Sequence, residues 1–134
     1  MSEILISKLT SIERCIARVR EDYDGEFRTN YTKQDAIVLN IERACQQCMD
    51  MAAHYIRKQR LGVPENSRHL YEILAENDVI STDLADQLKR MVGFRNVAVH
   101  NYTNLDLNVV EAVVTKHLDD FREFGETLVS KFRT

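Results

Sequence analysis

Arg95 and His100 are the pair in this 134-residue chain whose types and spacing best suit chemistry. They stand in Gly93-Phe94-Arg95-Asn96-Val97-Ala98-Val99-His100-Asn101-Tyr102. An apolar line through Leu84, Leu88 and Met91, continued at helical steps, reaches Arg95, then Ala98 or Val99, then Tyr102. A guanidinium thus sits where the pattern asks for an apolar side chain. Burying it unpaired is costly, so such a position is paired, at an interface, or open to an anionic ligand. The arginine fork suits phosphate, to which it donates two parallel charge-assisted hydrogen bonds. Histidine, with an ordinary pKa of ~6.5, moves protons at neutral pH. On an ideal helix the two side chains lie about 140° apart. They converge on one ligand only where the helix ends or loosens near His100-Asn101. The other reading of the same spacing is an arginine reaching solvent and a histidine capping a helix.

Two further groupings are weaker. Cys45 and Cys48 have the two-residue spacing of a metal or redox pair, but they fall inside a helical pattern and have no second pair. Small core side chains account for them better. His117 with Asp119 and Asp120 is an incomplete metal set, and the acidic residues read as a solvated face. His54 and His69 have no spacing that supports a role. The four glycines lie too far apart to build a phosphate-binding loop. No metal and no cofactor is therefore expected.

The elements that must hold these residues are helical. Leu5, Leu9, Ile12, Ile16, Val19 and Tyr23 recur at steps of three and four, the period of one helix face. A loop near residues 25–30 precedes Thr32-Lys33-Gln34-Asp35, which has the form of a capping box. Ile37, Ile41, Ala44, Cys48, Met51 and Tyr55 then mark a second helix, stopped after about Arg60 by Gly62-Val63-Pro64. A shorter helix is expected over residues 67–76, with a turn at Asn77-Asp78. A fourth helix starts near Thr82 or Asp83. The last is expected to run unbroken through Leu107, Val110, Val114, His117, Phe121, Phe124 and Leu128. No alternating stretch competes, so the fold expected is all-α: an antiparallel, up-down bundle of four to five helices in one domain, residues 1–134.

Composition narrows the function classes. At 44% apolar and 29% charged residues with one proline, the chain is neither disordered nor of low complexity. Its net charge of −3 argues against a protein that coats phosphates indiscriminately. The charge is unevenly placed. Arg57, Lys58, Arg60 and Arg68 face only Glu65 between residues 57 and 69, whereas six acidic residues outnumber two basic ones from Asp106 to Glu126. Three cysteines, no long apolar run and no basic, apolar leader set the expectation of a cytoplasmic protein with reduced thiols and no membrane contact.

The motif from Gly93 to Tyr102 resembles the signature of HEPN-domain proteins, specifically the HepT-like toxins of prokaryotic toxin–antitoxin pairs. The likeness rests on the asparagine after the arginine, the tyrosine two after the histidine, and the place before a last long helix. It implies a HEPN-like bundle acting as a metal-independent RNase in a type VII-like HEPN/MNT system. Arg95 and His100 would be catalytic, with two copies of the motif meeting at a homodimer cleft. It further implies a minimal nucleotidyltransferase (MNT) antitoxin that silences the toxin by AMPylation of Tyr102. Transfer RNA and messenger RNA are both open as substrates. Such cleavage uses the RNA 2′-hydroxyl as nucleophile and needs a base, an acid and a stabiliser of the phosphorane charge. Asn96 is placed as a second donor, to phosphate or to the ring of His100. The alternative is a non-catalytic helical adaptor or nucleotide-binding subunit of a nucleotidyltransferase complex.

Overall fold

In a computed structural model, which describes residues 2–133, each of these apolar lines becomes the buried side of a helix. The elements are α1 (Glu3–Asp22), α2 (Tyr31–Gln59), α3 (Ser67–Glu76), α4 (Thr82–His100), a 3₁₀ turn (Tyr102–Asn104), α5 (Leu107–Lys116) and α6 (Leu118–Lys131). Among the described residues there is no strand, and no helix is long and apolar enough to cross a membrane.

Cross-helix contacts fix the directions. Lys8 near the start of α1 pairs with Asp50 far along α2, Tyr102 just after α4 meets Asp35 near the start of α2, and Lys131 at the end of α6 meets Val79 just before α4. Sequence neighbours among the long helices therefore run up and down, with α1, α2, α4 and α6 forming the bundle. The shorter α3 packs beside α2 and α4. The core is the inner side of all of them, including Ile12, Ile41, Met51, Leu88, Phe121 and Phe124. Burial of this apolar surface is what stabilises the helices, which would be marginal alone. Gly125 permits the close approach of α6 to α1. A Cβ there would stand 2.7 Å from Leu9 Cδ1.

Two expectations need correction. The cap of α2 is Asn30, whose side chain accepts from the Lys33 backbone N–H at 3.0 Å. The proposed box at Thr32–Asp35 thus lies inside the helix, and Asp35 is free for another partner. The expected last helix is also two helices. His117 leaves helical geometry (φ −125°, ψ 0°), and its Nδ1 lies 3.0 Å from Asp120 Oδ2, one turn ahead. The apolar period runs through the break undisturbed, so periodicity alone does not reveal it.

Candidate functional site

The motif occupies the C-terminal half of α4 and the turn that follows. Arg95 faces α2 and is half-buried. Its Nη2 donates to Gln46 Oε1 at 3.2 Å, while its Nε is buried without a hydrogen-bond partner among the described residues. Gln46 is itself held, donating through Nε2 to Asp50 Oδ1 at 2.9 Å; Asp50 in turn pairs with Lys8 at 3.3 Å. The guanidinium is therefore steadied by a neutral amide. Among the described residues no carboxylate neutralises it. Its charge reaches the core: burial pushes the Cys45 thiol up, and Arg95 partly offsets that shift.

His100 is the last residue of α4, exposed to solvent. The helix stays closed to that point, since the Asn101 N–H reaches Val97 O at 2.8 Å. Within one chain, then, the helix does not loosen before His100. No hydrogen bond joins Arg95 to His100 among the described residues, and they stay on different sides of α4. Asn96 is exposed one turn before His100, on the same side. No hydrogen bond links those two among the described residues. Gly93 continues this side one turn back, and Arg68 of α3 lies over it, its Nη2 3.2 Å from where a Cβ would stand. The basic stretch before α4 thus reaches the motif through Arg68.

Tyr102 opens the 3₁₀ turn with 42% of its surface exposed. Its hydroxyl donates to Asp35 Oδ1 in the first turns of α2. Burial and then this bond push the phenol up to about 12. The two side chains border an open cleft of about 430 Å³ with Tyr31, Gln34, Leu105 and Leu107. Asp35 and Gln46 are the site neighbours that reading the chain misses. Each carries the chemistry of an ordinary surface residue, and the contact that matters is made across the fold.

The remaining candidates resolve simply. Cys45 and Cys48 are buried in the core, where desolvation pushes both thiols up. His117 pairs with Asp120 at the α5–α6 break. His54 is buried, lies 3.3 Å from Ser2 Oγ and stacks on Phe132; burial first, then Arg57 and Lys58, lower its pKa. His69 Nδ1 accepts from the Glu65 backbone N–H at 3.0 Å. No group of three or more His, Cys, Asp or Glu residues that could hold a metal occurs among the described residues.

Comparison with known proteins places the chain in a family. The family described as Ribonuclease HepT-like matches residues 9–128. The mRNA nuclease HepT of Shewanella oneidensis is 46% identical over 130 residues, covering 96% of this chain and 98% of that protein. A solved structure of the tri-AMPylated Shewanella oneidensis HEPN toxin in complex with MNT antitoxin superposes with a TM-score of 0.94. It is 42% identical, with 98% of this chain and 100% of that chain covered. A toxin–antitoxin crystal structure with AMP-PNP gives 0.91 at 42% identity, covering 96% and 99%. With an all-α bundle, the Arg95-to-Tyr102 motif at the end of α4, and a match across nearly all its length, the chain belongs to the HepT-like ribonuclease family.

Proposed function

We propose that this protein is the toxin of a HEPN/MNT toxin–antitoxin pair, an RNase that cuts RNA without a metal ion and is silenced by AMPylation of Tyr102. The observation that carries the reading is the state of the motif. Arg95 is held by Gln46 yet keeps an unneutralised charge and an unpartnered Nε, while His100 stands exposed at the helix end. A phosphate is the partner such an arginine lacks.

The 2′-hydroxyl of RNA attacks the adjacent phosphorus, and the 5′-oxygen leaves. One histidine takes the 2′ proton and another gives a proton to the leaving oxygen. A single chain offers one exposed motif histidine, so a homodimer with two-fold symmetry completes the pair: one protomer's His100 is the base and its partner's is the acid. Arg95 stabilises charge on the phosphorane, and Asn96, beside His100, adds a donor. The partner that AMPylates Tyr102 is a nucleotidyltransferase of the MNT class, as in the complex of the Shewanella oneidensis relative. An AMP group there places bulk and negative charge next to the motif. The substrate is RNA, messenger or transfer, and the protein acts in the cytoplasm.

The test is cleavage of total cellular RNA by pure protein in the presence of a chelator. Wild type cleaves, and His100→Ala loses roughly 10²–10⁴-fold in rate, the usual worth of a proton-transfer group. Arg95→Lys keeps the charge but not the fork, and falls roughly 10-fold or more. Protein that is inert toward RNA yet binds the nucleotidyltransferase supports the adaptor reading. Undiminished cleavage by His100→Ala removes the histidine from the mechanism.

A further inference from the structure

The hydroxyl of Tyr102 is not loose in solvent. It comes from the turn after α4 and donates to a carboxylate on α2, 67 residues away in sequence. Asp35 makes no ion pair with a lysine or arginine among the described residues, so no cation competes for its electrons. The ionisable groups bordering the cleft are Asp35 and the phenols of Tyr31 and Tyr102. Asp35 is exposed, so its contact with Tyr102 is not forced by core packing.

We infer that Asp35 is the base of the tyrosine modification, holding the Tyr102 hydroxyl in place and receiving its proton as a nucleotidyl group is transferred. The inference rests on Tyr102 being the modified residue. In the step, Tyr102 Oη forms a bond to the α-phosphorus of a nucleoside triphosphate brought by the nucleotidyltransferase. The bond from that phosphorus to the oxygen bridging it to the β-phosphorus breaks, and pyrophosphate leaves with the electron pair. The phenolic proton passes to the Asp35 carboxylate and then to water, so atoms and charge balance.

A base is needed because the hydroxyl is a weak acid where it sits. A phenol pushed up to about 12 exists as phenolate in only about one molecule in 10⁵ at pH 7. Waiting for free phenolate would be slow; handing over the proton as the new bond forms avoids that population. The hydrogen bond to Asp35 leaves the lone pairs of Oη free for phosphorus. It also fixes the ring's direction, so the α2 carboxylate sets where the nucleotide must approach.

The experiment measures incorporation of α-phosphate-labelled ATP into the full chain by its MNT-class nucleotidyltransferase, for wild type, Tyr102→Phe and Asp35→Asn. Asparagine keeps an oxygen that accepts from the hydroxyl but cannot take its proton, so it separates basicity from position. Wild type is labelled and Tyr102→Phe is not. Asp35→Asn is labelled at least about 10²-fold more slowly at pH 7, the lower end of what a general base supplies. Between pH 7 and 9 its rate climbs about tenfold per pH unit as hydroxide takes over the proton, whereas the wild-type rate stays level. A simple packing role for Asp35 would not change that slope. Labelling of Tyr102→Phe at the wild-type rate refutes the tyrosine assignment itself. If Tyr102→Phe is unlabelled while Asp35→Asn matches wild type in rate and slope, the tyrosine stands and Asp35 is not its base.

Discussion

Tyr102 holds its proton more firmly in the folded chain than a free phenol does, because it is partly buried and donates to a carboxylate. The unfolded chain releases that proton near pH ~10, the folded one only near about 12. Above pH ~10 the unfolded state therefore carries fewer protons than the native state, and stability falls as pH rises. This contribution is fully present below pH ~10 and is withdrawn on passing through about 12. Tyr102→Phe has no such proton, so its urea-unfolding free energy should decline less steeply than wild type between these limits. Equal slopes would mean that the phenol is free of Asp35 in solution. At this scale the chain's own order marks Arg95, Asn96, His100 and Tyr102 as candidates, since their types and spacing sit within ten residues. Asp35 and Gln46 stay hidden because their partners are 67 and 49 residues away, and no local pattern encodes such a contact.

Helices follow from periodicity where a continuous face meets a core, and most residues of the apolar lines in α1, α2 and α4 are buried, joined there by neighbours such as Val38, Cys45, Ile56 and Phe94. Two details escape that logic. The cap of α2 shifted from Thr32 to Asn30 because several residue types in succession can cap, and only backbone geometry selects among them. The α5–α6 break escaped because His117 keeps the spacing of the face while its backbone leaves the helix. Gly93, inside α4, offers a test of how this element carries the motif. A Cβ there meets only the end of the exposed Arg68 side chain, which can retreat by a few tenths of an ångström. Gly93→Ala should therefore stabilise the protein by roughly 0.5–1 kcal/mol through the lost backbone entropy of glycine, read from urea or thermal unfolding. Destabilisation instead would show that Arg68 is pinned against the helix and cannot yield.

For the whole molecule, the acidic excess of the last two helices is largely matched at home. Glu111 pairs with Arg28, Asp119 with Arg20 and Arg122, and Glu126 with Arg122. Arg95 and Arg90 on α4 and Arg68 beside it make no ion pair among the described residues, so a net charge of −3 coexists with unmatched cations around the motif. On the reading proposed above, phosphate would be held locally by such cations, without a basic surface. Because one chain presents one exposed motif histidine, light scattering should return twice the 15.6 kDa chain mass for the active species. Cleavage by a form that remains at the single-chain mass would require another acid. The break at His117 has a consequence for motion. It leaves α5 as a ten-residue segment, too short to be stable by itself and tied by Val110, Val113, Val114 and the Glu111 contacts. Such a segment should open locally at lower free energy than the long helices, so its amides are expected to exchange earlier than theirs and as one unit, measured by hydrogen exchange. Leu107 at its start borders the Tyr102 cleft, while Val109 and Ala112 border a second cleft beside Met91 and Phe94. One short helix is thus a wall of both, so a ligand that orders one cleft is expected to slow amide exchange along the other.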